Sequence, residues 1–367
     1  MKGIVYATAF QMGWTPSIMM QDTPICMPGP INTQKDPLAP ACTGKGTYIP
    51  HNYGGDGYNG YVPIRMALAN SLNVPAVEAM SFVGATPELS TNFIDMARRL
   101  GITDEVTDSQ GNVITPGLTK GDMGYTTALG TQSIPLIQLT NAYAAMANSG
   151  KHTPTRVILR IEDSQGNTWN APKPNPQQVI SPQAAYMLTS VLADDKARIP
   201  AFNSPNPLEF PAFQVASKTG TGSGKNGPSD IVTIGYSPYL AVGVWVGNAN
   251  NADMNSDIIG IAGAGYVFHD VMDWAIKNYK WTGPNTFPIP QGMAMGAFGC
   301  NAGLAPYQGE GSSGKDGGKS SGTTTAPMCS YRDDVPGHGV NIYGNEKTPT
   351  HVPDIDWYIQ GQAPLNS

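Results

Sequence analysis

Apolar positions at Ile64, Leu68, Leu72 and Val77, with good helix formers between them, predict a helix that approaches Ser71 and breaks near Pro75. A second helix is predicted from an N-cap and first-turn pair, Thr86 and Pro87, ahead of Phe93, Ile94, Ala97, Arg98 and Leu100, with Gly101 as its stop. Residues 134–148 carry a third, closed by Ser149 and Gly150. Ser181 and Pro182 cap a fourth that runs to about Ala193. Arg156 to Asp163 has the texture of a strand entering a turn at Gly166. From Phe213 onward the period changes: FQVASKTGT, IVTIGYSP and YLAVGVWVGN are β-rich, and a Ser-Pro turn signal separates the last two. This is an antiparallel meander. Asp22 to Tyr61 is dense in Pro, Gly, Asn and Tyr without a helical period, and is expected to be a long ordered loop.

Composition narrows the class. At 367 residues the chain exceeds one typical domain, and 40% apolar against 13% charged residues fits a loop-rich protein of mixed structure. A net charge of -6 excludes a general nucleic-acid binder, which needs clustered Lys and Arg to displace counterions. No apolar run is long enough to span a membrane, and the opening MKGIVYATAF lacks a signal-peptide cleavage pattern, so it is expected to be the middle of a domain. QGEGSSGKDGGKSSGTTTAP is low-complexity sequence between Cys300 and Cys329, and the residues from Tyr331 on are polar and uninformative. No internal repeat is apparent.

Cys26, Cys42, Cys300 and Cys329 show no C-x-x-C and no His at ligand spacing, so no metal site is expected. Of three connectivities, Cys26 with Cys42 and Cys300 with Cys329 is the simplest, the alternative being four unrelated buried thiols. Such bridges imply an oxidising, extracytoplasmic setting. Closing the first loop would stabilise by roughly 3 kcal/mol in the chain-entropy model.

Two short motifs carry candidate chemistry. Lys218-Thr219-Gly220-Thr221 lies on a strand whose alternation sends Lys218 and Thr219 to opposite sides, while Gly220 leaves the surface bare for an extended peptide. Ser71-Leu72-Asn73 sits at a helix end. Alone, the first could be a plain strand end and the second a helix cap. Together they are two of the three elements of active-site-serine penicillin-recognising enzymes. Gly317-Gly318-Lys319-Ser320 has Ser313 where a phosphate loop needs its first Gly, and His51, His152, His269, His338 and His351 form no catalytic or metal motif.

YIPHNYGGDGYNGYVPIRMALANSLNVPAV and VASKTGTGSGKNGPSDIVTIGYSPYLAVGVWVGN resemble long runs of class A penicillin-binding proteins, as do TALGTQSIPLIQLTNAYAAMANSG and the Asp22-Thr23-Pro24 turn. The likeness runs from Gly3 to Asp273. It implies an α+β fold of the penicillin-binding protein/β-lactamase kind, a central antiparallel sheet flanked by helices, with a transpeptidase domain over residues 1–290. The likeness does not cover residues 291–367, which by composition and cysteines are expected to be a Gly/Ser-rich, disulfide-tied tail. It also implies that Ser71 relays a proton, that Asn73 hydrogen-bonds the donor peptide, and that Lys218, Thr219 and Thr221 hold a terminal D-Ala carboxylate beside Gly220. The N–H of Thr221 would form half of an oxyanion hole. Lys2 aligns with the lysine of the family's Ser-x-x-Lys, with Gly3 in place of its Pro, so the nucleophilic serine would precede Met1; equally, Met1-Lys2 could be an unrelated start.

The implied activity is D,D-transpeptidation of peptidoglycan stem peptides without a cofactor, inhibited by β-lactams once the nucleophile is present. The chain as given is then expected to be inactive. The implied setting is the cell envelope, with membrane attachment only through an N-terminal anchor absent from this sequence. The alternatives are a D,D-carboxypeptidase or β-lactamase-like hydrolase, and a serine-less scaffold that binds peptidoglycan.

Overall fold

The computed structural model describes residues 1–28, 47–53, 57–84, 91–119, 124–297 and 355–359. Helix α1 (Lys2–Gln11) is buried from Gly3 through Phe10. Its sequence is apolar around nearly its whole circumference, which suits a helix with neighbours on every side. Those neighbours are α3 (Val74–Val83), α4 (Thr91–Arg99) and α6 (Pro182–Leu192). A Cβ at Gly3 would collide with the Tyr143 hydroxyl. Glycine at position 3 thus lets α1 pack closely against Tyr143.

Between α1 and α3, strand β1 (Met19–Asp22) pairs antiparallel with β4 (Gly60–Pro63), and the two-residue β2 (Met27–Pro28) pairs with β3 (Thr47–Tyr48). The expected long loop is thus closed at its base by a ladder, and residues 29–46 lie outside the described set. Helix α2 (Ile64–Ala69) ends before Ser71, as its pattern predicts. Pro75 does not break a helix, however: it occupies the first turn of α3, where a missing N–H costs nothing because that N–H has no intrahelical acceptor. Thr86 and Pro87 fall outside the described residues, while Gly101 ends the α4 turn at φ +89°.

The hairpin β5 (Val106–Thr107) with β6 (Val113–Thr115), helix α5 (Leu136–Ala147) and short β7 (Lys151–His152) follow. Next come the exposed hairpin β8 (Arg160–Glu162) with β9 (Thr168–Asn170), and β10 (Gln177–Gln178), which pairs with β7. Both hairpins turn on the same five residues, Asp-Ser-Gln-Gly-Asn, at 108–112 and at 163–167. Asp108 and Asp163 each accept from the backbone N–H two and four residues on. Gly111 and Gly166 supply the positive φ. The five-residue repeat is thus one turn built twice.

Ser181 caps α6 by accepting from Ala184 N at 3.2 Å, as predicted. Asp194 caps α7 (Asp195–Phe202) and pairs with Arg65 of α2 at 3.1 Å. The meander is β11 (Ala216–Thr221), β12 (Asp230–Tyr236) and β13 (Ala241–Gly247), in that order and antiparallel. Helices α5 and α6 cover one face of it, and α8 (Tyr266–Asn278) covers the other. The main core lies on the α1–α6 side, and a smaller one of Leu208, Phe210, Val215, Phe268 and Met272 lies under α8. A central antiparallel sheet flanked by helices is the arrangement expected. Past α8, β14 (Met293–Ala297) pairs with β15 (Ile355–Ile359), so the polar end of the chain contributes a strand that its composition did not signal.

Cys26 is in a disulfide, whereas Cys42, Cys300 and Cys329 lie outside the described residues, as do the Gly317–Ser320 stretch, His338 and His351. No helix among the described residues is long and apolar enough to cross a membrane, and none of them form a group of metal-ligating side chains.

Candidate active site

Three segments far apart in sequence meet at Ser71. The turn between α2 and α3 holds Ser71 at φ +60°, a left-handed conformation uncommon for a residue with a Cβ and often found where a side chain must be aimed. The turn is fixed by Ser71 N–H to Leu68 O at 3.1 Å and Leu72 N–H to Ala67 O at 2.9 Å. Leu72 is buried and anchors it. Lys218, on β11, reaches across to donate to Ser71 Oγ at 2.6 Å and to Thr219 O at 2.8 Å. From the first turn of α1, Lys2 donates to Ser71 O at 2.6 Å and to Asn73 Oδ1 at 2.6 Å, and lies 3.3 Å from Ser71 Oγ. Asn73 donates through Nδ2 to His51 O at 2.7 Å, which fixes its amide with the oxygen toward Lys2.

The two amines sit in an environment that opposes their charge. Burial, and next the charge of nearby Arg198, lower the Lys218 pKa to about 7. Burial and then Lys218 hold the Lys2 amine well below its ordinary value. Arg198 lies behind β11, its guanidinium donating to Ser217 Oγ at 2.9 Å and to the carbonyl of Leu192. Sequence reading missed it, since nothing in DDKARIP marks an arginine for burial beside an active lysine. A hydroxyl between two amines whose pKa values burial lowers can pass a proton from one to the other.

β11 is an edge strand among the described residues, with Lys218 on its Ser71 side. Thr219 and Thr221 take the other face, against Gly260: Thr221 Oγ1 accepts from Gly260 N at 3.1 Å, and Thr233 Oγ1 donates to Gly260 O at 3.2 Å. Gly220 adds no side chain. The sequence motifs are thereby brought together as Ser71, Asn73 and Lys218, joined by Lys2. Thr219, Gly220 and Thr221 form the strand beside them.

An antiparallel sheet between helical layers, with two buried amines meeting a serine hydroxyl beside the edge strand, is the arrangement of a penicillin-binding protein/β-lactamase-like fold. Residues 39–273 match the family described as the penicillin binding protein transpeptidase domain, and the chain belongs to that family. Among its relatives, penicillin-binding protein 2D of Bacillus subtilis is 28% identical over 80% of this chain and 37% of its own length. Penicillin-binding protein 1A of Neisseria meningitidis serogroup B is 25% identical over 91% of this chain and 39% of its own. The chain therefore spans somewhat over a third of these relatives. The fold is similar to that of PonA1 from Mycobacterium tuberculosis in complex with penicillin V, with TM-score 0.60 and 21% identity over 79% of this chain and 70% of that one. It is also similar to penicillin-binding protein A of the same organism as an imipenem acyl-enzyme, with TM-score 0.56 and 22% identity over 75% and 59%.

Proposed function

We propose that this chain supplies the D,D-transpeptidase site of a peptidoglycan-building penicillin-binding protein. The observation that carries the reading is the convergence of Lys2, Asn73 and Lys218 on Ser71. Helix α1 lies ahead of the family match at residues 39–273, so the role given to Lys2 rests on this geometry.

In this reading the nucleophilic serine stands three residues before Lys2, one helical turn back, on the face of α1 that carries the lysine. Lys2, disposed by burial toward its neutral form, takes the serine proton as the oxygen attacks the penultimate D-Ala carbonyl of a stem peptide. Lys218, on the Ser71 side of β11, meets the terminal carboxylate with Thr219 and Thr221 beside it along the strand edge, and the Thr221 N–H and that of the nucleophile stabilise the oxyanion. Collapse breaks the peptide bond. The departing D-Ala amine takes its proton from Ser71, which is reprotonated from Lys2 or Lys218. An amine of a second stem peptide then attacks the ester and releases the serine. The parent protein acts outside the cytoplasm, held by an anchor upstream, with Cys26 bridged to Cys42 and Cys300 to Cys329. Residues 1–290 carry the site and 291–367 form an appended tail. β-Lactams would acylate the same serine.

The test is labelling by a fluorescent penicillin, read by intact mass, on this chain and on its parent extended upstream through the serine. Labelling of the extended chain alone supports the reading. Failure of both overturns it, and an acylated residue within Met1–Ser367 overturns the placement of the nucleophile. Cross-linked dimer in excess over hydrolysed product from paired stem peptides separates transpeptidation from carboxypeptidation.

A further inference from the structure

Behind the site lies a carboxylate that none of the steps above uses. Asp22, the last residue of β1, has no solvent-exposed surface. Among the described residues no cation pairs with it. Its charge is met instead by amides. Asn52 Nδ2 donates to Oδ1 at 2.8 Å and lies 3.0 Å from Oδ2, while Asn59 donates to Oδ2 through its backbone N–H at 3.0 Å and through Nδ2 at 2.5 Å. Burial raises the Asp22 pKa, and these donors oppose the rise. A buried carboxylate without a cation is costly, so its retention calls for a reason beyond filling space.

The reason lies in what a carboxylate cannot do. It only accepts, so the Asn52 amide must turn its NH2 toward Asp22 and its oxygen the other way. That oxygen accepts from Asn73 N at 2.8 Å and from Val74 N at 3.4 Å, the first donors of α3. Asn52 Nδ2 also reaches Gly57 O at 3.2 Å, in agreement with the same orientation. With its backbone held by Asn52 and its amide by His51 O, Asn73 presents Oδ1 to Lys2. The order of positioning runs from Asp22 through Asn52 and Asn73 to Lys2 and Ser71.

We propose that Asp22 and Asn52 form a buried positioning pair that fixes the orientation of Asn73 and, through it, the placement of the Lys2 amine at Ser71. This rests on the transpeptidase reading for its effect on rate, but not for its effect on structure. In Asp22→Asn a second NH2 meets that of Asn52, and neither amide can flip without turning an NH2 onto the Asn73 N–H or onto the Asn59 donors. In the exchanged pair, Asp22→Asn with Asn52→Asp, the new carboxylate accepts from Asn73 and Val74 at the α3 N-terminus, and the new amide donates to it while accepting from Asn59, with the 3.2 Å donation to Gly57 O lost.

Two measurements test the pair. In the parent chain that carries the upstream serine, D22N should acylate with penicillin about 10- to 100-fold more slowly, as a small misplacement of catalytic groups entails. The exchanged pair should recover most of that rate. In the present chain, which needs no nucleophile for this readout, exchange of the Asn73 and Val74 amide hydrogens should speed up about tenfold or more in D22N and slow again in the exchanged pair. Absence of acylation in the unsubstituted parent would sink the transpeptidase reading and leave the exchange measurement to decide on Asp22. Unchanged amide exchange, or D22N acylating at the unsubstituted rate, overturns the pair. Should D22N not fold, a folded exchanged pair with native rate and exchange supports the proposal; a folded but slow one overturns it.

Discussion

Lys218 gives the prediction with the most direct arithmetic. It is 8% exposed, and its pKa falls from 10.5 to about 7, chiefly through burial and secondarily through Arg198. At 1.36 kcal/mol for each pH unit, full removal of that burden is worth about 5 kcal/mol. The folded state binds the proton more weakly than the unfolded state. Below pH 7 the amine is charged in both states and the destabilisation is complete; above 10.5 it is neutral in both and the destabilisation is gone. Stability therefore rises with pH across that window. Substitution by Met keeps much of the length and has no charge to titrate. Urea unfolding of the native chain and of K218M at pH 6, 7, 8 and 9 should show the native chain gaining about 2 to 3 kcal/mol on the variant from pH 6 to pH 9. Loss of the bonds to Ser71 and Thr219 offsets the variant equally at every pH and leaves the slope alone. Lys2 works in the same direction, since it holds its proton more strongly once Lys218 is gone. Stabilities that run parallel to within about 0.5 kcal/mol over this range would refute the reasoning.

Three further outcomes follow from the same structure. Ser71→Ala removes the hydroxyl between Lys2 and Lys218 and should lower acylation of the serine-bearing parent by about 10²- to 10⁴-fold while its melting temperature holds; a near-native rate would argue against a relay. A Cβ at position 260 would come within 2.8 Å of Gly220 O and 3.1 Å of Thr219 Cβ, so Gly260→Ala should push β11 off its seat. It should cost about 1–3 kcal/mol by denaturant unfolding and slow acylation as well. Ser181→Ala removes the 3.2 Å cap at the start of α6 and should cost about 1 kcal/mol without affecting acylation, since the cap lies away from Ser71; calorimetry and penicillin labelling of the same sample check both halves.

Elements whose causes are local were legible in the chain. The Ser181-Pro182 cap, the α5 helix with its Ser149-Gly150 stop and the three strands after Phe213 formed where the pattern put them, because capping, helical period and alternation act within a few residues. Pro75 carried an ambiguous local signal: the same ring that stops one helix opens another, and only the chain's direction after Ser71 decides which. The hidden strand β15 has its reason in a partner some sixty residues earlier. The site divides in the same way. Ser71, Asn73 and Lys218 could be singled out from residue type and spacing, together with the strand that presents Thr219 to Thr221. That Lys2 reaches Ser71, that Arg198 lies behind Lys218, and that Asp22 orients Asn52 were decided by tertiary structure alone. Those relations depend on distances between segments that the sequence separates, and on a buried environment that gives amines and a carboxylate properties they lack in water.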